Sequence, residues 1–418
     1  MHESDVQAGR PPRIRLFYFT PSDLLVPRVD RQCIMRFLEA LAARGVDVEA
    51  VSLNVHLQFD EPTARRGLFE VYGIGKPFPV HVLPTATRQS GDHNRVWRAI
   101  VFSTYAVWRL LLHRDHSRHD ATVLYFKNYL FAPIFLGLRR LLGRRLLLLF
   151  EIHLPPERPR DRRAIQRVDG LLPINGILAD ELHRDFGIPK DRILVAHMGV
   201  NQQSITTGTM PKASARRSLG LPEDRHVAVY TGKVYDGYGE IDLLLATAHL
   251  LPEVEMLIVG GREDHVGRLR KQARSEGLAN VRFEGFVAPA DVSPYHAAAD
   301  VLVTYYPGGI PLNRYRSPGK LFEYMASGRP IVTADYPALR QVLSPGAALF
   351  VEKDDPRALA AGIRKVLADP ALGERLAGQA RRDVLDFTWE RRADRVIGFI
   401  ERLREGRGSR ASGTTNAG

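Results

Sequence analysis

Residues 317–332 have the sequence SPGKLFEYMASGRPIV, which combines the start of a helix, its apolar face and the strand that follows. Ser317 is predicted to be the N-cap of this helix, and Pro318 suits the first helical position. Gly319 has no side chain that would obstruct a ligand, and Lys320 adds an ammonium group to the positive end of the helix dipole. Free N–H groups, dipole and cation therefore meet at one point, which suits a phosphate or a diphosphate.

Glu323 is predicted to lie on the same helical face as Lys320, because the two residues are three positions apart. Leu321, Phe322 and Met325 point elsewhere and can anchor the helix in a core. An ordinary capped helix with a surface pair between Lys320 and Glu323 explains the same residues, and such pairs contribute little stability. The residues alone leave the ligand site and the ordinary helix as equal alternatives.

The same stretch resembles the donor-site motif SPxKLFEYMAxGxPIV of retaining, nucleotide-sugar-dependent glycosyltransferases of the family-4 type. Members of this family have the GT-B architecture, an α/β fold in which two Rossmann-like domains face each other across a cleft. The resemblance implies that Lys320 binds the diphosphate of the donor and that Glu323 hydrogen-bonds to the ribose of its nucleotide. It covers most of the chain, but its motifs are strong only in the second half.

The length and the order of the predicted elements indicate two domains. A chain of 418 residues is too long for one ordinary domain. Residues 14–19, 29–43 and 46–53 are predicted as strand, helix and strand, the opening of a Rossmann domain that lacks the G-x-G-x-x-G turn of a dinucleotide site. With the resemblance, we predict a Rossmann-like acceptor domain over residues 13–202, a Rossmann-like donor-nucleotide domain over 223–386, a helix over 387–404 that crosses back to the first domain, and a disordered tail over 405–418.

Gly232 and Lys233 follow a predicted strand of the second domain. The family places a basic residue at this turn, where it neutralises the donor diphosphate, and Lys233 matches it. The departing nucleoside diphosphate gains negative charge as the glycosidic bond breaks, so a cation here stabilises the transition state. The family usually adds a second basic residue in a Lys-Gly pair, but Tyr238 and Gly239 stand there, so this contact is predicted to be lost. Without the resemblance, Lys233 would be interpreted as a solvated turn lysine.

Phe286 and Val287 come directly after Gly285, at the end of another predicted strand. In the family this loop contacts the nucleotide base, largely through backbone groups, so its side chains do not identify the base. A simple turn at the end of the strand is the alternative interpretation. The residues that we predict to bind the donor, a substrate and not a cofactor, are Gly232, Lys233, Phe286, Val287, Gly308, Gly309, Ser317, Gly319, Lys320 and Glu323.

The first glutamate of the family's acidic pair is absent. It should precede Glu323 by eight positions, where this chain has Tyr315. Tyr315 cannot copy a carboxylate, because its phenol is neutral near pH 7 and its ring reaches farther. Gly308 and Gly309 form a tight turn just upstream, whose N–H groups are open to a ligand. We therefore predict that backbone groups of this turn, and not Tyr315, hold the donor sugar.

His153 is the main catalytic candidate of the first domain. Together with Glu151, it lies at the end of the apolar strand predicted over residues 146–150. Ligands of α/β proteins bind at the carboxyl ends of such strands. The family often places a histidine here, facing the donor sugar and the acceptor, so the resemblance assigns catalysis to His153, Lys320 and Glu323. A structural histidine is an equal alternative, and Glu151 would orient His153 or bind the acceptor.

Charge limits the partners of the chain. The formal net charge is +12, which is compatible with nucleic acid, an anionic membrane or a phosphorylated substrate. The sequence contains no basic stripe interleaved with aromatic residues and no nucleic-acid motif, so we expect no nucleic-acid partner. Arginines concentrate in the first domain, and this basic face is either simply solvated or attached peripherally to an anionic membrane. They are Arg139, Arg140, Arg144, Arg145, Arg158, Arg160, Arg162 and Arg163.

Cys33 is the single cysteine, which excludes an internal disulfide and favours a reducing compartment. It falls in an apolar helical pattern and is predicted to pack rather than to react. The N-terminus lacks the apolar segment of a signal peptide, and no apolar run of the sequence is long enough to span a membrane. We therefore predict a cytoplasmic protein, with membrane contact limited to the basic face.

The histidines do not predict a metal site. The sequence lacks a D-x-D triplet, and His113, His116 and His119 stand among arginines without ligand spacing. Lysines and a helix N-terminus would then take the part of a divalent ion. We predict a metal-independent transferase that has no cofactor and uses a UDP- or GDP-linked sugar as donor substrate.

Two other functions stay open. A sugar-nucleotide epimerase shares the paired Rossmann-like architecture, but it requires acid/base carboxylates around the sugar, and no motif supplies them. A non-catalytic nucleotide-sugar-binding protein would explain both the missing glutamate and the missing basic residue. The acceptor, a glycan, a lipid-linked sugar or a small molecule, is not encoded in any motif.

Overall fold

The computed structural model describes residues 13–26, 28–54, 67–84, 94–109, 119–142, 146–206, 210–234 and 239–412. Within these ranges the chain forms two parallel sheets of six strands each, with helices between the strands. In both sheets the chain starts at a central strand, moves to one edge and then returns to fill the other half. This is the strand order of a doubly wound Rossmann fold. The prediction of two Rossmann-like domains is therefore confirmed.

The first sheet is built from β1 Ile14–Thr20, β2 Asp47–Asn54, β3 Val80–Pro84, β4 Ala121–Phe126, β5 Leu146–Ile152 and β6 Gly170–Pro173. Its strand order is β3-β2-β1-β4-β5-β6. Its helices are α1 Val29–Ala43, α2 Leu68–Val71, α3 Asn94–Val107, α4 Ala132–Leu142, α5 Pro159–Arg167 and α6 Gly176–Phe186. Short 3-10 turns occupy Tyr129–Phe131 and Lys190–Arg192.

Helices α7 Gln202–Thr206 and α8 Lys212–Leu219 lead into the second sheet. Its strands are β7 His226–Thr231, β8 Val254–Val259, β9 Val281–Gly285, β10 Val301–Thr304, β11 Ile331–Ala334 and β12 Leu349–Val351, in the order β12-β11-β10-β7-β8-β9. The helices that follow are α9 Glu240–His249, α10 Glu263–Ser275, α11 Ser293–Ala298, α12 Gly319–Ser327, α13 Pro337–Arg340, α14 Pro356–Ala368, α15 Pro370–Asp383 and α16 Trp389–Ser412. Three 3-10 turns occupy Pro289–Asp291, Pro311–Tyr315 and Val384–Asp386.

The strands are apolar because helices cover both faces of each sheet. Strand β5, with the sequence LLLLFEI, is buried over its whole length, as expected of a central parallel strand. Alternate residues of β1 enter different cores: Leu16 and Tyr18 belong to one buried cluster, and Phe17 and Phe19 to the other. Among the described residues, no helix combines the length and the apolarity needed to cross a membrane.

The last helix, α16, packs on the first domain although it follows the second domain in sequence. Trp389, Phe399 and Ile400 are buried in the same cluster as the residues of α1. Gly170 of the first sheet leaves room for this helix, because a Cβ there would lie 2.6 Å from a ring carbon of Phe399. The first domain is therefore completed by the C-terminal end of the chain.

The predicted end of this helix near residue 404 is wrong, because α16 continues to Ser412. Arg407 explains part of the extension. Its guanidinium donates to the Leu146 carbonyl at 3.0 Å and pairs with Asp169, so residues beyond 404 are held against the first sheet. Residues 405–412 of the predicted disordered tail are thus helical, and residues 413–418 lie outside the described residues.

The chain crosses between the domains twice, at adjacent positions. Val200 and Thr388 form an isolated parallel bridge. Val200 N–H donates to the Phe387 carbonyl at 3.0 Å, and Trp389 N–H donates to the Val200 carbonyl at 3.0 Å. Gly199 permits this approach, because a Cβ there would lie 2.8 Å from the Phe387 carbonyl oxygen. These two crossing segments form the hinge between the domains.

Candidate functional site

A cleft of about 1110 Å³ lies between the two domains and is lined by both. Pockets for small molecules commonly occupy about 300–1,000 Å³, so the cleft has room for a ligand as large as a nucleotide sugar. Most of the predicted donor and catalytic residues line it, namely His153, Gly232, Lys233, Phe286, Val287, Ser317, Gly319, Lys320 and Glu323.

Lys320 stands in the first turn of α12 and is buried where it lines the cleft. Its Nζ lies 3.1 Å from Glu240 Oε1 and 3.8 Å from the centre of the Tyr230 ring. Burial lowers the pKa of Lys320 to about 8, although the Glu240 carboxylate acts in the opposite direction. The ammonium group is therefore fixed in position but incompletely stabilised, which favours the binding of a further anion.

The start of α12 differs from the prediction. Pro318, and not Ser317, is the N-cap, and no side chain caps the helix. The Ser317 hydroxyl accepts a hydrogen bond from Met198 N–H at 3.1 Å, so it is used to tie the helix start to the hinge segment. The first N–H groups of α12 have no capping side chain, and Gly319 and Lys320 bring them to the cleft wall. This end of the helix keeps the positive pole of its dipole for a ligand.

Glu323 lies one turn after Lys320 and is half-buried on the same wall. Burial raises the pKa of Glu323 to about 7, and the Arg36 guanidinium offsets only part of this shift. Within the part of the chain that the structure describes, no side chain donates a hydrogen bond to this carboxylate. Its oxygens are therefore able to accept hydrogen bonds from the hydroxyl groups of a ligand.

Backbone without side chains forms the wall next to Lys320. Gly260 and Gly261 follow β8 with φ values of +120° and +90°, which side chains rarely permit. A Cβ at Gly260 would lie 2.0 Å from the Gly232 carbonyl oxygen, and one at Gly261 would lie 2.6 Å from Val234 Cβ. The glycine pair was not predicted as part of the site, although two glycines at the end of a strand are a usable signal of close backbone approach.

Lys233, Phe286 and Val287 extend this wall. Lys233 is exposed, Phe286 is exposed as well, and Val287 is half-buried. The Gly260 N–H donates to the Gly285 carbonyl at 2.7 Å, which joins the loop of Phe286 to the glycine wall. An exposed aromatic ring at this place can stack on a flat ligand group such as a base.

On the first-domain wall, His153 is held by Glu151, which lies near the end of β5. His153 Nε2 lies 2.7 Å from Glu151 Oε1, and Tyr125 donates to the other carboxylate oxygen at 2.5 Å. Burial alone would raise the pKa of Glu151, but Arg392 and His153 hold it well below its usual range. Because an ionised carboxylate only accepts, His153 donates through Nε2 and its ring orientation is fixed. The predicted contact between Glu151 and His153 is therefore present.

Arg392 of α16 lines the cleft, but it was not predicted as a site residue. It is buried, and its guanidinium donates to Glu151 Oε2 at 2.8 Å and to the His197 carbonyl at 2.9 Å. The sequence does hold a signal: Arg392 falls three residues after Trp389 and four before Val396, on the apolar face of the helix. A charged residue on such a face needs a buried partner.

The structure does not bring Gly308, Gly309 or Tyr315 to the cleft wall. The Gly308 N–H already donates to the Asp354 carboxylate at 2.7 Å. Tyr315 packs into a first-domain cluster, and its hydroxyl donates to Glu181 Oε2 at 2.7 Å. The expected role of the Gly308 and Gly309 turn in sugar binding is therefore not supported, because one of its donors is used within the protein and neither glycine lines the cleft.

The remaining sequence predictions concern metal, thiol and basic residues. Among the described residues, no group of three or more His, Cys, Asp or Glu side chains is arranged to hold a metal ion. Cys33 is half-buried in the cleft, and burial raises the pKa of its thiol to about 12, which keeps it protonated. Residues that were named above but lie outside the described ranges are His113, His116, Arg144, Arg145 and Tyr238.

Comparison with known families decides the class of the second domain. Residues 225–369 match the family model described as Glycosyl transferases group 1. The second domain is a glycosyl transferases group 1 domain. The predicted resemblance is confirmed at this level, and Lys233, Lys320 and Glu323 all lie within the matched segment.

A D-inositol 3-phosphate glycosyltransferase of Streptomyces bingchenggensis is 29% identical over 230 residues, which cover 51% of this chain and 49% of that protein. The chain thus spans about half the length of such curated relatives.

Solved structures of the same architecture superimpose on both domains. A sucrose-phosphate synthase from Thermosynechococcus elongatus superimposes with a TM-score of 0.71 at 19% identity, over 94% of this chain and 100% of that one. The Anabaena protein HepE, solved in complex with UDP-glucose, superimposes with a TM-score of 0.67 at 17% identity, over 94% and 99%. At sequence identities this low, the similarity shows only that the fold is shared. The chain has the GT-B fold, as predicted.

Proposed function

We propose that the protein is a glycosyltransferase that moves a sugar from a nucleotide sugar to an acceptor with retention of the anomeric configuration. The position of Lys320 supports this most: a buried cation in the first turn of a helix, beside a wall of glycine backbone, within a glycosyl transferases group 1 domain. Such a place suits the diphosphate of a donor, whose charge increases when the glycosidic bond breaks.

The second domain binds the donor in this proposal. Lys320 and the N–H groups at the start of α12 contact the diphosphate, and the exposed Lys233 adds a weaker, hydrated charge. Glu323 accepts hydrogen bonds from the ribose hydroxyls, which would compensate its present lack of donors. Phe286 and Val287 lie beside the base.

The first domain binds the acceptor. His153 faces the sugar from the opposite wall, with its ring fixed by Glu151, and Arg392 keeps that carboxylate ionised. A fixed ring at the junction of donor and acceptor can hold or transfer a proton in a defined direction. The acceptor itself is not specified by these residues.

The comparisons support the donor class. The relative from Streptomyces bingchenggensis bears the name of a glycosyltransferase, and the Anabaena structure contains UDP-glucose. We therefore propose a UDP- or GDP-linked sugar as the donor. We also propose that the lysines and the helix N-terminus replace a divalent cation, so that the reaction needs no metal.

The test is to incubate the full chain with UDP-, GDP- and ADP-sugars and to follow nucleoside diphosphate release and the anomeric configuration of the product by NMR. Retained transfer, or slow release to water with retention, is expected, and addition of EDTA should leave the rate unchanged. A changed sugar with an intact nucleotide bond would identify an epimerase instead. Binding without turnover would identify a binding protein, and activity that returns only with magnesium or manganese would contradict metal independence.

A further inference from the structure

Arg316 is a cation of the cleft that neither the motif nor the donor site above includes. It lies between the 3-10 turn Pro311–Tyr315 and helix α12, and its side chain lines the cleft together with Lys320. Arg316 Cζ lies 4.2 Å from the centre of the Tyr306 ring, and Lys320 Nζ lies 5.2 Å from the same centre. Two cations of the cleft wall thus share one aromatic ring.

The Arg316 side chain is ordered without a carboxylate. Its Nε donates to the side-chain oxygen of Asn313, and Asn313 is itself buried and bonded to the Pro307 carbonyl. Among the described residues no ion pair to Arg316 is present, whereas Lys320 is paired with Glu240. Its terminal N–H groups are therefore left for a ligand, and this planar fork of donors matches a phosphate group.

The charge balance of the wall favours an anion here. Lys320 and Glu240 largely compensate each other, and Lys233 is exposed to water. Burial is the main cause of the low pKa of Lys320, and the neighbouring Arg316 adds to it. Two like charges held close together repel each other, and an anion that contacts both would remove this cost. A diphosphate, with several negative charges, has the matching chemistry.

The first domain holds the chain on both sides of Arg316. Before it, the Tyr315 hydroxyl donates to Glu181 of α6 at 2.7 Å. After it, Ser317 accepts a hydrogen bond from Met198 N–H at 3.1 Å. Because the contact with Glu181 joins the two domains, the position of the guanidinium depends on how the first domain is placed.

We infer that Arg316 is a phosphate-binding residue of the donor site and that Glu181 of the first domain is the positioning residue that holds it there. The inference rests on the proposed function, because it takes a nucleoside diphosphate as the ligand class. Arg316 would then supply the positive charge that the sequence lacks at Tyr238, from a different loop. The first domain would take part in donor binding through a contact that touches no ligand.

The first test is calorimetric titration of the full chain with UDP, GDP and ADP. For the nucleotide that binds most tightly, Arg316→Ala should raise Kd by about tenfold or more, which corresponds to a loss of about 1.4 kcal/mol in binding free energy. Arg316→Lys keeps the charge but loses the fork of donors, so its affinity should lie between those of the wild type and Arg316→Ala. Arg340→Ala is the matched control, because this arginine pairs with Asp335 outside the cleft. Thermal melting of each variant reports whether it is folded.

The second test is a double-mutant cycle with Glu181. Glu181→Ala should weaken the same affinity, and its addition to Arg316→Ala should weaken it no further, because Glu181 acts through Arg316. A purely structural role would lower the melting temperature without this coupling. Unchanged affinity in folded Arg316→Ala, or additive losses in the double variant, would overturn the inference and leave the proposed function intact. Failure of the wild type to bind any of the three diphosphates would overturn both.

Discussion

The charged groups on the two walls of the cleft differ in how completely they are paired within the protein. On the first-domain wall, Glu151 has three partners, and its pKa lies well below the usual range because Arg392 and His153 outweigh burial. On the second-domain wall, burial shifts the pKa of Lys320 down to about 8 and that of Glu323 up to about 7, so the charged form of each group is less favourable than it is in water. The buried charge of the first wall is fully paired within the protein, whereas the charged groups of the second wall are incompletely stabilised.

This comparison predicts that substitutions on the first wall lower the free energy of unfolding, whereas substitutions on the second wall weaken ligand binding. The largest effect should come from Arg392→Leu, because it leaves Glu151 buried without its cation. Removing one partner of a buried pair costs about 3–5 kcal/mol. Denaturant unfolding measures the loss.

Arg391→Leu is the control for that experiment, since Arg391 is an exposed neighbour on α16 that pairs with Asp386 at 3.4 Å. Its free energy of unfolding should stay within about 0.5 kcal/mol of the wild type. Equal stability of the two variants would show that the Glu151 and Arg392 pair does not support the first wall.

The next effect concerns Lys320→Ala, which should weaken nucleoside diphosphate binding by about 1.5–3 kcal/mol, the usual contribution of a hydrogen bond to a charged group. Lys233→Ala should lose less, because Lys233 is exposed. Titration with UDP and GDP measures both. Lys271→Ala, on the exposed side of α10, should bind like the wild type. A folded Lys320→Ala variant with full affinity would refute the second wall as an anion site.

Glu323→Gln should stabilise the ligand-free protein at high pH. The pKa of Glu323 rises from 4.5 to about 7 on folding, so the wild type loses stability as the pH increases through this interval. The amide does not titrate, so the variant should gain about 1–2 kcal/mol at pH 8, after allowance for solvent screening, and little at pH 5. Thermal unfolding at both pH values tests this. Glu374→Gln, exposed on α15, should show no pH-dependent gain, and an equal gain of the Glu323 variant at both pH values would argue against a desolvated carboxylate.

The smallest effect per residue concerns the outer face of the first domain, where α3, α4 and α5 pack side by side. We propose peripheral binding of this face to anionic membranes. Trp108, which follows α3, and Leu141 of α4 are exposed. Each basic residue near an anionic surface adds about 1 kcal/mol. In co-sedimentation at low salt, Arg160→Glu should reduce binding to anionic vesicles, whereas Arg375→Glu in the second domain should not. Equal binding to neutral and anionic vesicles would remove the proposal.

The sequence predicted the local parts of the site and missed the long-range ones. Lys320, Glu323 and the Gly232 turn were predicted to lie at one site, and they do line the same cleft, because they stand at strand and helix ends whose geometry follows from capping and strand order. Arg392 was missed because its partner Glu151 is 241 positions away. Counting along the chain put Tyr315 at the position of the family's first glutamate, and we predicted that it does not hold the donor sugar. A 3-10 turn carries it instead to Glu181 of the other domain, which no spacing rule reveals.

The bridge between Val200 and Thr388 has a consequence for the exchange of domains between proteins of this fold. Since α16 completes the first domain, the second domain is an insert with two ends, and those ends lie side by side at this bridge. An exchange of second domains between relatives would therefore need two junctions, one near residue 200 and one near residue 388. A chimera joined at a single junction near residue 200 would combine the first domain of one parent with the last helix of another. The packing of Phe399 against Gly170 would then be replaced by contacts between residues from different parents.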